Sequence, residues 1–227
     1  MKDAALILVG AGGHALSLAE FASHLVCGYI ANEKNPLMPG KWLGKDHEFL
    51  DSQQEMHSPG INDNSGNAHI FHISFVYSGR PTMQPRRLII ESYEKAGKRF
   101  VSLIAPSATV TPNSSLGDGC AVMAGAIINR AVLGRHVIVN SGAIVEHDCV
   151  VGDNTFIGPG AVIGGFTTIG SNCFIGLGTK IANGLKINDN ITVGMGAVVD
   201  HDLTEPGIYH GNPLRCFKIN VDHENNC

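Results

Sequence analysis

The sequence has no run of lysine and arginine, and its net charge is only −4 over 227 residues. Neither the electrostatic footprint of a nucleic-acid binder nor a basic membrane patch is therefore expected. Also missing are an apolar stretch of about 18 residues, as a membrane span needs, and a charged-then-apolar leader after Met1 and Lys2. The expectation is a cytoplasmic protein that neither spans a membrane nor is exported by a signal peptide. The six cysteines (Cys27, Cys120, Cys149, Cys173, Cys216, Cys227) include no C-x-x-C pair. That disfavours a disulfide framework and points to free, buried thiols acting as small apolar groups. With 44% hydrophobic residues the chain can build a real core, and two modest domains fit its length best.

What the chain does have is a six-residue repeat running from 104 to 199. Its anchors are Ile104, Val110, Leu116, Val122 and Ile128, then, after one five-residue step, every sixth residue from Leu133 to Val199. Helical faces recur at about 3.6 residues and strands at about 2, so a sustained six with glycine after many anchors predicts a solenoid of short strands and tight turns. Four residues beyond most anchors stands a small side chain, such as Ala126, Ala143, Cys149, Thr155, Ala161 or Cys173. A narrow prism needs this pairing: the branched anchor fills the axis, and the second inward slot accepts only a small group.

The first part reads differently. A compact apolar run at 4–9 meets Gly10-Ala11-Gly12-Gly13-His14 and then a helical pattern of Leu16, Leu18, Ala19, Phe21, Ala22 and Leu25. Strand, glycine turn and helix in that order form a Rossmann-like opening, whose helix N-terminus offers free N–H groups to a diphosphate. Gly12, Gly13 and His14 are the candidate contacts. A second strand is expected at 28–31, but its end is Ala31-Asn32 with no aspartate, and Glu33 is the nearest acid, which disfavours a dinucleotide cofactor. A polar excursion at 51–67, a buried strand at 70–77 ended by Gly79-Arg80-Pro81, an amphipathic helix at 85–95 and a last strand at 100–104 complete this domain. Arg86 and Arg87 are read as part of the helix's solvated face. The expected division is 1–103 and 104–227.

The motif G-A-G-G-H, the strand ending R-F-V-S-L-I-A-P-S-A and the hexads together resemble the sugar O/N-acyltransferases of the hexapeptide-repeat superfamily, which include sialic-acid O-acetyltransferases and N-acetyltransferases of nucleotide-linked 4-amino sugars. The resemblance implies an α/β N-terminal Rossmann-like domain plus an all-β C-terminal left-handed parallel β-helix with three hexads per turn. It alone supplies the hand, because generic chain physics favours right-handed crossovers. It further implies that the first domain holds a nucleotide-linked amino sugar, that the β-helix holds acetyl-CoA, and that the chain assembles as a homotrimer.

One hexad stands apart. Val145-Glu146-His147-Asp148-Cys149-Val150 carries three consecutive polar groups. By the repeat rule Val145 and Cys149 point inward, leaving Glu146, His147 and Asp148 on an outer corner. Histidine suits proton removal near neutral pH, and a neighbouring carboxylate can orient its ring. The segment N-S-G-A-I-V-E-H-D-C-V-V-G-D-N resembles the family's active-site segment. That match implies His147 as general base, Asp148 as its support with Glu146 as competitor, and Asn140 as an acceptor or oxyanion contact. By the same resemblance Phe156, Gly165, Leu177 and Met195 stand at coenzyme-contacting positions, and Gly211-Asn212-Pro213-Leu214-Arg215 resembles the closing segment. The implied reaction is direct transfer of acetyl from acetyl-CoA to the amine of a nucleotide-linked amino sugar in bacterial surface-glycan synthesis, the alternative being O-acetylation of a sialic-acid-like sugar. No metal is expected: the spacing of His136, His147 and His201 does not resemble a ligand set. An acyl-cysteine at Cys149 is disfavoured by its inward slot. A binding or scaffold module, with the β-helix used only for trimerisation, is the non-catalytic reading.

Overall fold

The computed structural model describes residues 5–45, 69–74 and 82–217. The polar excursion at 51–67, the far half of the strand expected at 70–77, Gly79-Arg80-Pro81 and Cys227 lie outside those residues.

The N-terminal sheet is built on β1 (Leu6–Val9), whose four residues are all buried. It pairs in parallel with β2 (Val26–Ile30) on one side and β4 (Ile70–Ile73) on the other, and β3 (Lys41–Trp42) extends β2 to give the order β3-β2-β1-β4. A central parallel strand is covered on both faces, which is why β1 is uniformly apolar rather than alternating. Helix α1 (Gly13–Ala22) follows β1 directly, and α2 (Gln84–Lys95) presents Arg86, Ile90 and Tyr93 inward. The strand expected at 28–31 starts at Val26 and ends at Ile30. The two-residue β3 is too short to carry a periodicity. The strand expected at 100–104 is only a bridge from Phe100 to Phe71, and β5 (Leu103–Ile104) already belongs to the second domain, pairing with β8 (Ala121–Val122).

From β5 to β21 (Val198–Val199) every strand is two residues long, and they stack into three parallel sheets forming a prism. Paired strands are 18 residues apart, as in β10 (Val132–Leu133) with β13 (Val150–Val151) and β11 (Ile138–Val139) with β14 (Phe156–Ile157), so one coil is three hexads. This is the left-handed parallel β-helix. Anchors Val122, Ile128, Val139, Val145, Ile157 and Ile163 are fully buried. The small inward slots do more than fit: Thr155 Oγ1 donates to the Gly170 carbonyl at 2.8 Å, and the Cys149 and Cys173 thiols donate to Gly164 and Asn188 carbonyls at 3.1 Å. Ile104 departs from the rule. It is 47% exposed because the prism begins there and no coil lies beneath it.

One sheet of the prism carries the N-terminal domain. Ala121, Ile138, Phe156 of β14 and Phe174 of β17 (Phe174–Ile175) share an apolar layer with Leu6, Leu8, Ala15 and Leu18. Arg86 crosses this boundary and corrects the sequence reading, for it is fully buried rather than solvated. Its Nη1 donates to the His136 carbonyl at 2.8 Å and to Asn154 Oδ1 at 2.5 Å, and its Nη2 donates to the Ile73 carbonyl at 3.3 Å. The helical period places 86 on the face of 90 and 93, and a guanidinium with several hydrogen bonds can remain there. Arg87 does face solvent, paired with Glu91.

Candidate active site

From Gly119 to Gly196 each corner of the prism turns through a left-handed residue, and corners of successive coils stack into edges. The edge following β12 (Ile144–Val145) stacks corner 146–149 between 129–131 below and 164–167 above. The lower corner is one residue short, which accounts for the five-residue step in the repeat. It puts Arg130 directly under Asp148: the Arg130 carbonyl accepts the Asp148 N–H at 3.1 Å, and its guanidinium donates to Asp148 Oδ1 at 3.3 Å.

His147 is half-exposed on this edge, with Val145 and Cys149 fully inward beside it. Its Nδ1 lies 2.9 Å from Asp148 Oδ2, while Glu146 turns away, its Oε2 accepting from Asn129 Nδ2 and from the His147 main-chain N–H at 3.2 Å each. Asp148, not Glu146, therefore touches the ring. The His147 hydrogen bond, helped by Arg130, holds the Asp148 carboxyl below the usual carboxylate range. Because a carboxylate can only accept, Nδ1 carries the proton and Nε2 is the basic atom of the neutral ring. Nε2 lies against the Cα of Gly165, where a Cβ would stand 2.9 Å from it. The Phe166 ring meets the imidazole edge-to-face at 5.0 Å.

The Cys149 thiol is pushed up by burial. Among the described residues no group of three or more His, Cys, Asp and Glu is placed to hold a metal ion. His136 is buried at the domain boundary, on a different edge from His147.

The other candidate residues divide between the edges. Gly165 stands with His147. Asn140, Leu177 and Met195 occupy the neighbouring edge, at corners 140–143, 176–179 and 194–197, with Leu177 51% and Met195 72% exposed. Phe156 is on neither: it is buried in the interdomain layer, stacked on Phe174 at 4.9 Å. The N-terminal domain covers that face, in contrast to the coenzyme-contacting position that the resemblance implies for Phe156. A phenylalanine in the outward slot of a covered sheet is packing, and sequence alone does not say which of the three sheets is covered.

In the N-terminal domain Gly10 takes the left-handed turn (φ 113°), and Gly12 caps α1. Both Gly12 and Gly13 are exposed, and a Cβ at either would meet nothing within 4 Å. Behind them His14 Nε2 is buried without a hydrogen-bond partner, as is His72 Nε2. Burial, with the charges of His72 and Arg86, lowers His14 to about 3. Asn35 Nδ2 donates to the Ala11 carbonyl at 2.7 Å, tying the segment after β2 to the glycine turn. The Arg86, His72 and His136 cluster behind the turn gave no sequence signal, since its members lie far apart in the chain.

Comparison with known proteins places this geometry. Residues 130–165 match the bacterial transferase hexapeptide (six repeats) family, and residues 166–201 match the hexapeptide repeat of succinyl-transferase. No curated protein sequence matches significantly. A histidine-to-alanine mutant of GDP-perosamine N-acetyl transferase from Caulobacter crescentus, in complex with CoA and GDP-perosamine, superposes with a TM-score of 0.79 at 26% identity, covering 95% of this chain and 97% of its own. The acetyltransferase domain of PglB from Neisseria gonorrhoeae FA1090, in complex with acetyl coenzyme A, gives 0.78 at 29% identity over 93% and 98%. WeeI from Acinetobacter baumannii AYE, 19% identical, shares the fold with a TM-score of 0.74 over 95% and 100%. The repeat, the fold and the end-to-end superposition make the chain similar to sugar acyltransferases of the hexapeptide-repeat superfamily and support that reading of it.

Proposed function

We propose that the protein transfers the acetyl group of acetyl-CoA directly to the amine of a nucleotide-linked amino sugar, in bacterial surface-glycan synthesis in the cytoplasm, with His147 as general base. The observation that carries this reading is the His147–Asp148 pair at 2.9 Å on an exposed corner, with Nε2 as its basic atom. In the reaction the amine nitrogen attacks the thioester carbonyl carbon while Nε2 takes its proton. The C–N bond forms, the C–S bond breaks, and the departing thiolate recovers the proton from the imidazolium. Asp148 keeps the Nδ1–H tautomer and stabilises the imidazolium. Positioning two reactants beside one base can contribute about 7–11 kcal/mol, so no covalent enzyme intermediate is needed.

The acceptor's diphosphate would lie on the N-terminus of α1, over the open faces of Gly12 and Gly13, with His14 behind them. Asn140 would contact the acceptor or the developing oxyanion. Gly165, Leu177 and Met195 would line the coenzyme path. Since His147 and Leu177 stand on separate edges of one prism, a site using both is completed by apposing two copies, which favours the homotrimer. The outward apolar residues Ile127, Val132 and Val150 on the two uncovered faces suit such contacts.

The test is thiol release from acetyl-CoA with a panel of nucleotide-linked 4-amino sugars and free sialic acid. Release with an amino sugar is expected. Release only with sialic acid would assign O-acetylation instead, and silence across the panel with acetyl-CoA still bound would exclude this acceptor class.

A further inference from the structure

Seven non-glycine residues adopt positive φ in the described chain: Arg130, His136, Asp148, Asn154, Phe166, Asn172 and Asn190. Six carry polar side chains. Phe166, at φ 61°, is the exception, and a bulky residue there is an outlier that local sterics disfavour. Its equivalents on the same edge are Arg130 and Asp148 below and Gly184 above. Burial does not compensate, because Phe166 is 62% exposed. Backbone conformation and solubility would both favour asparagine or glycine at this corner.

What Phe166 does touch is His147. The rings meet edge-to-face at 5.0 Å with planes 89° apart, and the Phe166 N–H donates to the His147 carbonyl at 2.9 Å. Asp148 fixes only Nδ1, and one hydrogen bond leaves an imidazole free to tilt about that contact. Gly165 adds no side chain on the Nε2 side. An aromatic ring one coil above the carboxylate supplies the missing restraint without occupying Nε2.

We infer that Phe166 is a positioning residue for His147: its strained, exposed ring fixes the imidazole plane and keeps Nε2 turned toward the acceptor. This rests on the general-base reading of His147. The experiment compares wild type, Phe166→Gly, Phe166→Tyr and His147→Ala, with acetyl-CoA and whichever acceptor supports transfer. Phe166→Gly should keep or raise the thermal midpoint and leave the KM for acetyl-CoA within about two-fold, while kcat falls about 3–10-fold, the loss of one aromatic pair. Phe166→Tyr should restore kcat. By NMR the His147 ring protons should show a ring-current displacement in wild type and Phe166→Tyr that Phe166→Gly lacks, a readout that needs no turnover. Wild-type kcat and unchanged His147 resonances in Phe166→Gly would overturn the inference. So would a fall in thermal midpoint that Phe166→Tyr does not restore, or loss of acetyl-CoA binding. If wild type transfers acetyl to no acceptor, the proposed function fails, yet the resonances still report whether Phe166 holds the ring.

Discussion

Lowering the pH from 7 to 5 should destabilise this protein far more than its surface charges would suggest. Three histidines at the domain boundary are buried as neutral rings: burial, aided by neighbouring positive charge, lowers His14 and His136 to about 3 and His72 to about 4. Their unfolded counterparts titrate near 6.5. Above that value neither state binds the proton and stability is flat. As pH falls below 6.5 the unfolded chain takes up protons the folded one refuses, so stability drops by about 1.4 kcal/mol per unit for each ring until its folded pKa is reached. At pH 5 this is about 2 kcal/mol each and, as an upper bound for three neighbouring groups, about 6 in all. For a chain of this size that corresponds to roughly 12–24 °C in melting temperature. Thermal melts from pH 7.5 to 5.0 read the effect directly. His72→Gln, which keeps a donor for the Val101 carbonyl that His72 Nδ1 contacts at 3.0 Å, should flatten the slope by about a third. A melting temperature independent of pH between 6.5 and 5 would refute the reading of these rings as neutral.

Other perturbations separate structure from chemistry. Arg86→Leu strips the guanidinium from the His136 carbonyl and Asn154 Oδ1, and should cost about 3–5 kcal/mol in denaturant unfolding. Cys149→Ala should leave turnover within about two-fold, because the thiol is inward and hydrogen-bonded to Gly164; in the folded protein it should also resist alkylation. Asp148→Asn removes the carboxylate from Nδ1 without changing size, and should lower kcat about 10–100-fold with acetyl-CoA affinity unchanged by calorimetry.

The prism was legible because its geometry is written once per hexad: a branched anchor and a small second slot can only be satisfied by a narrow coil, and the burial of Val122 through Val199 follows. Ile104 fits the same pattern in sequence yet ends up exposed, since periodicity does not mark where a stack stops. The outer face is harder to read. Phe156 and Phe166 are both outward phenylalanines, one covered by another domain and one bare beside His147, and only the tertiary arrangement distinguishes them. Arg86 shows the same limit, because a helical wheel names its face but not the carbonyls 50 and 13 residues away that make burial tolerable. His147 is marked in the sequence by charge density on a turn and by resemblance. Which carboxylate orients it depended on side-chain direction at a left-handed corner, which adjacency in sequence does not encode.

The proposed reaction depends on His147 removing the acceptor's proton from its corner of the prism. Its most direct test is the rate of acetyl transfer by wild type and His147→Ala at saturating acetyl-CoA, with coenzyme binding measured in parallel. A fall of roughly 100-fold or more is expected, with binding nearly intact. Transfer at the wild-type rate by the alanine variant would contradict it.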